Sequence, residues 1–407
     1  MTARSVPEVV ITGVGLVSAA GVGVDATWRR TLAGQSTART DSRLDGLDVD
    51  ISCRVPDFDP VAHLGAEARR TDRFSQLGLV ACAEAMGMSE LEPADWDPER
   101  VGVIIGTGFG GLCTFEEQVV RHTCGEKASA LTVPMFVPNM LPGLLSMRWR
   151  ACGPSFSTAT ACASGATAIG LGAELIRAGI CDIVLAGGSD APITRLVNAA
   201  FARMGALSTR CATPAEASRP LDAARDGFVL GEGAAVLVLE RAAHSAARRA
   251  PALARLAGFG ASADAHHITD PHPDGNGLHQ AITAALSQAE ATIADVDHVS
   301  MHATGTPKGD LIEARLLARL CGGQASVTAA KGALGHTMGA AGAIEAALCV
   351  LTITERIVPP TANLHRIDPR VDLDVVRGAA RPQRVQLALS NSSGFGGQNA
   401  VLAFAAV

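Results

Sequence analysis

One cysteine and two histidines carry the strongest chemical signal in this chain. Cys162 lies in FSTATACASGATAIGLGAELIRAG, where an apolar strand from Ser155 to Ala161 is expected to lead into a helix of Ala, Gly and Leu. A thiol at such a turn meets unpaired N–H groups and the positive end of the helix dipole, which favour thiolate over thiol. His302 follows a strand in VSMHATGTPKGD, and His336 stands in AAKGALGHTMGAAGAIEAA among residues too small to give an imidazole a packing purpose. A sulfur so placed can hold an acyl group while imidazoles work on it. Ala163, Ser164 and Gly165 give the sulfur little steric cover, and the N–H of Cys162 can point at an acyl oxygen. Taken singly, each residue has a plainer reading, because free cysteines are mostly small buried hydrophobes and lone histidines mostly core or cap residues. The flanks lift Cys162 above that background. The two histidines show neither HxxxH spacing nor a third ligand, so no metal is expected.

Lys331 precedes His336 by little more than a helical turn and Glu345 follows in the same segment. A buried Lys–Glu pair would tune and orient the site, since an unpaired buried ammonium is costly. In SNSSGFGGQNAVLAF, Gly394, Gly396 and Gly397 surround Phe395 and permit a turn that aims an N–H into a site; an ordinary hairpin is the alternative. GTGFGG at Gly106 follows a strand but lacks the rest of a dinucleotide fingerprint, and no GK[ST] is present. His266, His267 and His272 read as a polar loop.

The elements that must hold these residues alternate, strand then Ala/Leu-rich helix, as in a layered α/β protein. Strands are expected at Val9, Val101, Asp182, Ala234, Leu253 and His298, and in LALSNSS and NAVLAFA. Helices are expected over 66–86, 278–290 and 311–321. With 407 residues, the chain suggests two similar halves, 1–250 and 251–407, meeting near the Arg-rich 242–252. TATACASGATAIGLGAEL and TAAKGALGHTMGAAGAIEAAL echo each other, which points to duplication and a central pair of close-packed helices. Net charge is −6, which gives no case for nucleic acid or an anionic membrane. No apolar run is expected to approach a membrane span, and no signal segment is read at the start. The ten cysteines lack CxxC spacing, so nine are read as small buried hydrophobes in a reducing cytosol.

Together TACASG, HATGTPKGD, KGALGHTMGAAGAIE, SNSSGFGGQNA and SRPLDAARDGFVLGEGAAVLVLE (Ser218 to Glu240) resemble the elongating β-ketoacyl-[acyl carrier protein] synthases. The likeness runs over nearly the whole chain. It implies a thiolase fold, five-layered αβαβα with two pseudo-duplicated halves, and a dimer. It implies decarboxylative condensation of a Cys162-bound acyl group with malonyl-[acyl carrier protein], with His302 and His336 completing the triad. Lys331 matches the supporting lysine, paired with Glu345, and the N–H groups of Cys162 and Phe395 match the oxyanion hole. Thr304 and Thr306 match hydroxyls that hold the phosphopantetheine arm, which the carrier supplies; no other cofactor is implied. Arg69, Arg70 and Lys127 match carrier-docking cations.

Departures narrow the likeness. Phe109 and Phe201 match acyl-pocket positions, and Phe109 stands where a smaller aliphatic is common, which predicts short or unusual acyl chains. Gln398 replaces the usual Thr or His, HATGT replaces HGTST, and Gly205 replaces a docking Arg. These features resemble the ketosynthase subunit of a type II polyketide system, working as a homodimer or with a chain-length factor. A housekeeping fatty-acid enzyme is the alternative. A non-catalytic chain-length partner would lack Cys162. A thiolase would want a second cysteine in the glycine loop, an initiating synthase Asn at His336, and a decarboxylase Gln at Cys162.

Overall fold

The computed structural model describes residues 6–94 and 96–407, so the reading of the first five residues as free of a signal segment lies outside it. Five strands of the N-terminal half are β1 (Val9–Ser18), β2 (Val101–Gly106), β3 (Ser155–Thr158), β4 (Ile183–Asp190) and β5 (Gly233–Arg241). The C-terminal half supplies β6 (Ala254–Ala263), β7 (His298–Ser300), β8 (Ser326–Thr328), β9 (Asp374–Val375), β10 (Leu387–Gly394) and β11 (Gln398–Ala405). They form one hydrogen-bonded path in the order β9-β8-β7-β10-β11-β6-β1-β5-β4-β2-β3.

The path reads the same from its centre outward in both directions. β1-β5-β4 and β6-β11-β10 are antiparallel, and β4-β2-β3 and β10-β7-β8 are parallel. Within this path the halves meet at Val10 with Arg255 and Ile11 with Ala254. The sheet therefore divides into two layers of equivalent topology, the thiolase arrangement. Residues 248–253, between a short helix (Ala242–Ala247) and β6, link them.

Packing repeats the symmetry. Helix α1 (Arg73–Ser89) lies on β1, and α3 (Asn276–Gln288) lies on β6. Side chains would prevent this approach: a Cβ on Gly13 or Gly15 would sit 2.1 or 1.8 Å from the carbonyls of Ala85 or Ala81. The equivalents Gly258 and Gly260 meet Ala285 and Ala281 in the same way, at 2.0 and 1.9 Å. Between the layers run α2 (Ser164–Arg177) and α5 (Ala341–Glu355), each touching strands of both halves. Their small residues let them close on one another, since a Cβ on Gly165 would come within 2.9 Å of the Ala343 methyl.

Several expectations need correction. The helix expected over 66–86 is broken: a 3₁₀ segment, Gly65–Arg70, precedes α1, and the Asp72 carboxylate caps α1 by accepting the N–H of Phe74 at 3.0 Å. One stretch does reach the length and apolarity of a membrane span. Met338–Glu355 covers 18 residues at mean hydropathy 1.4, but 89% of it is buried between the sheets. Glycine and alanine dilute its pattern in the sequence, and the pairing with α2 explains its composition. The thiols are also less uniform than expected: all ten are free, but Cys124 and Cys152 are exposed and Cys113 and Cys211 only partly covered.

Candidate active site

Strand β3 stops at Thr158 rather than Ala161, because the chain turns sharply there. Ala161 takes φ 50°, left-handed backbone that costs a non-glycine residue about 1–2 kcal/mol. A 3₁₀ turn, Ala161–Ala163, then carries Cys162 into α2. Ser164 clamps this bend: its Oγ accepts the N–H of Thr160 at 2.9 Å and donates to the carbonyl of Ala161 at 2.6 Å. The loop after β10 closes over the same turn. A Cβ on Gly394 would strike the Thr160 carbonyl at 2.7 Å, so only glycine lets the backbone come so near. That approach brings the N–H of Phe395, together with the N–H of Cys162, within hydrogen-bonding reach of the Cys162 sulfur.

The histidines arrive from the other half. His302 follows β7, and His336 lies between β8 and α5. His336 Nε2 stands 3.2 Å from Cys162 Sγ, and the two imidazoles pack edge to face at 5.5 Å. Phe228 meets His336 edge-on at 5.2 Å. Lys331 Nζ lies 2.5 Å from Glu345 Oε1 and 3.4 Å from His302 Nδ1. An ammonium only donates, so His302 Nδ1 accepts and its proton sits on Nε2. Glu313 fixes the backbone of this loop, accepting the N–H groups of His302 at 3.0 Å and Ala303 at 2.9 Å and the amide of Asn391 at 3.1 Å.

Burial decides the charges here. Both imidazoles are held well below their usual range, first by desolvation and then by the Lys331 charge, so they are neutral near pH 7. Burial also pushes the Cys162 thiol up to about 12, with Lys331 pulling the other way. This reverses the sequence expectation of a ready thiolate, because desolvation outweighs the helix terminus and the two N–H groups. Burial raises Glu345 to about 7 against the pull of Lys331.

These groups open on a cavity of about 370 Å³. Phe109, Phe201, Phe395 and Met338 line its apolar part, and Thr304 and Thr306, 3.1 Å apart, stand along its wall with Asp270 and Lys308. Lys331 and Glu345 lie behind the wall, each 2% exposed. Arg69, Arg70 and Lys127 are exposed and line no part of it, and Gln398 turns back to its own loop. The sequence reading passed over two buried carboxylates, Glu313 and Asp190. Their donors come from segments far apart in the chain, and no local spacing marks them.

The donor set for a metal is fuller than the histidine spacing suggested. Cys162 supplies the missing third atom: one donor atom each from Cys162, His302 and His336 fall within 4.8 Å of one another. The Lys331 ammonium beside His302 opposes a dication there, and the set suits a nucleophile flanked by neutral N–H donors.

The family model of the β-ketoacyl synthase N-terminal domain matches residues 7–245, and that of the C-terminal domain matches 253–365. The chain is 40% identical to the 3-oxoacyl-[acyl-carrier-protein] synthase 2 of Rhizobium meliloti (strain 1021), covering 97% of this chain and 98% of that one. Its structure is similar to the ishigamide ketosynthase/chain length factor, with TM-score 0.92 and 32% identity over 99% of this chain and 100% of that one. It is equally similar to a β-ketoacyl synthase from Burkholderia phymatum STM815, with TM-score 0.92 and 32% identity over 98% and 100%.

Proposed function

Since the chain belongs to the β-ketoacyl synthase family of condensing acyltransferases, we propose that Cys162, His302 and His336 join acyl and malonyl units delivered on a carrier protein. The approach of His336 Nε2 to Cys162 Sγ at 3.2 Å carries this reading. The thiol of Cys162 attacks the acyl thioester, and its proton leaves with the sulfur of the carrier's phosphopantetheine arm. Because burial keeps Cys162 protonated, the proton must move as the bond forms, passing from Cys162 to the departing thiolate. The carbonyl oxygen gathers charge beside the N–H groups of Phe395 and Cys162.

A malonyl thioester then replaces the spent carrier along the Thr304–Thr306 wall. Its thioester oxygen sits against the imidazoles, the carboxylate departs as CO₂, and the electrons of that bond form an enolate. Neutral imidazoles are suited to this step, because an N–H donor stabilises the enolate without protonating it. His302 has its proton on Nε2 for this purpose. The enolate carbon attacks the acyl carbonyl, the Cys162 sulfur leaves and is reprotonated, and a β-ketoacyl carrier thioester departs. Arg69, Arg70 and Lys127 offer exposed cations to an acidic carrier.

For the pathway, we favour the ketosynthase subunit of a type II polyketide system in the cytosol, dimeric with itself or with a chain-length factor. Phe109 supports it by narrowing the apolar end of the cavity. A housekeeping fatty-acid role is the second reading, favoured by the 40% identity to a synthase 2 against 32% to the ketosynthase/chain length factor. A scaffold role as chain-length partner conflicts with the complete triad. Incubation with radiolabelled acyl carrier thioester tests the chemistry: label should stay on the wild type and be absent from Cys162→Ala. No label on either protein would favour the scaffold. Native mass spectrometry of the complex isolated from its host separates homodimer from heterodimer.

A further inference from the structure

Asp190, the last residue of β4, is fully buried, and its carboxylate gathers four donors. The Thr107 hydroxyl reaches Oδ1 at 2.6 Å, and the N–H of Phe109 reaches the same oxygen at 3.2 Å. Oδ2 accepts the N–H of Gly108 at 2.8 Å and that of Gly339 at 2.7 Å. Three of these donors belong to the loop that carries the Phe109 ring. The fourth belongs to the turn that follows His336. No arginine or lysine pairs with Asp190 among the described residues, so these dipoles alone hold it.

We propose that Asp190 is a specificity-determining positioning residue, which ties the Phe109 loop to the turn after His336 and so fixes how long an acyl group on Cys162 can be. This deepens the reading of Phe109 as a wall of the acyl chamber and rests on it. The loop, GTGFGG over residues 106–111, is anchored at its ends by the N–H of Thr107 to the Thr158 carbonyl at 3.1 Å and that of Gly111 to the Phe136 carbonyl at 3.0 Å. Between them Gly110 lies at φ 60° with its N–H on the Thr107 hydroxyl at 2.9 Å, and Asp190 holds the centre. Contact across the carboxylate is tight. A Cβ on Gly339 would fall 2.6 Å from Oδ2 and 2.4 Å from the N–H nitrogen of Gly108. The Phe109 backbone therefore cannot shift unless the carboxylate releases groups on both sides, and the ring is left only rotation about its own side-chain bonds.

Asp190 has a second effect, which separates it from a merely structural residue. Its charge helps hold the Cys162 thiol up, opposing Lys331, while His302 and His336 contribute no charge in their neutral forms. Removing the charge with the shape retained should make Cys162 easier to ionise.

The test compares wild type, Asp190→Asn, Thr107→Val and Phe109→Ala on saturated acyl carrier thioesters of increasing length, with pH profiles of iodoacetamide alkylation. Asn keeps one acceptor and, with its oxygen on the Gly108 and Gly339 N–H groups, turns an N–H₂ toward the N–H of Phe109 and the Thr107 hydroxyl, so the Phe109 N–H loses its acceptor. The ratio of kcat/KM for long over short chains should rise about tenfold in Asp190→Asn and about threefold in Thr107→Val, the scale of charged and neutral hydrogen bonds. Both shifts should run in the direction of Phe109→Ala, and alkylation of Asp190→Asn should move to lower pH. Thr107→Val keeps the test alive should Asp190→Asn fail to fold. Equal losses at every chain length, with an unmoved alkylation profile, overturn the proposal. An unchanged ratio in Phe109→Ala overturns the chamber wall instead, and this proposal with it.

Discussion

The two turns that enter the central helices share a backbone path and differ a great deal in what they do. Each starts with a non-glycine residue at φ 50°, Ala161 or Met338, continues as a three-residue 3₁₀ turn, and enters a helix of small residues. The second position is Cys162 in one turn and Gly339 in the other. The first turn offers its backbone and sulfur to the cavity. The second is packed so closely on Gly108 and Asp190 that no Cβ fits, and its chemistry sits earlier, in the Lys331–His336 segment. Duplication thus supplied one geometry twice. One copy seats the proposed nucleophile, and the other is the joint that carries a histidine to it.

The largest effect should come from the joint's histidine. His336→Ala should cut malonyl decarboxylation by roughly 10²–10⁴-fold while leaving radiolabelled acyl transfer to Cys162 largely intact; equal loss of both would merge the roles assigned to the two turns. The second positions should then part company in stability. Gly339→Val should cost about 3 kcal/mol through overpacking, read as a lowered thermal midpoint, whereas Cys162→Ala should melt close to wild type. Similar melting of the two would dissolve the contrast.

A smaller effect concerns the charge at the seat. With the thiol near 12, iodoacetamide labelling of Cys162 should keep climbing above about pH 9, where an ordinary thiol levels off. Imidazole protonation should cause no fall in decarboxylation from about pH 8 to about pH 6, and any step near pH 7 should disappear in Glu345→Gln. The smallest lies outside both turns. Hydrogen bonds from Arg100, and then Arg241, lower Asp182 to about 2. A lowered carboxylate contributes stability above its unfolded value near 4 and loses it as pH falls through 2. Asp182→Asn should flatten that part of the acid unfolding curve, modestly because the pair is partly exposed.

What the sequence disclosed follows from the range of each interaction. The small-residue helices, the glycine turn at Phe395 and the Lys331–Glu345 pairing announce themselves through neighbours in the chain. The placement of β5 and β11 could be read from the apolar runs AAVLVL and AVLAFA. Charge state could not. The thiolate expected at Cys162 depends on how much protein surrounds the sulfur, which no flanking residue records. Asp190 and Glu313 escaped notice because each serves donors from remote segments. Residues 338–355 were misjudged for a related reason, since glycine and alanine look unremarkable until the partner helix explains them.

The position of β11 has a consequence for the chain's birth. Of the sheet's strands this one comes last in the chain, yet it belongs in the interior, between β10 and β6. Until Gln398–Ala405 leaves the ribosome, the 18-residue apolar stretch at 338–355 has only the N-terminal layer to pack against, and its other side lacks a completed cover. A message truncated just short of Gln398 would yield a polypeptide unable to shut its own interior, fit only for chaperones or proteases.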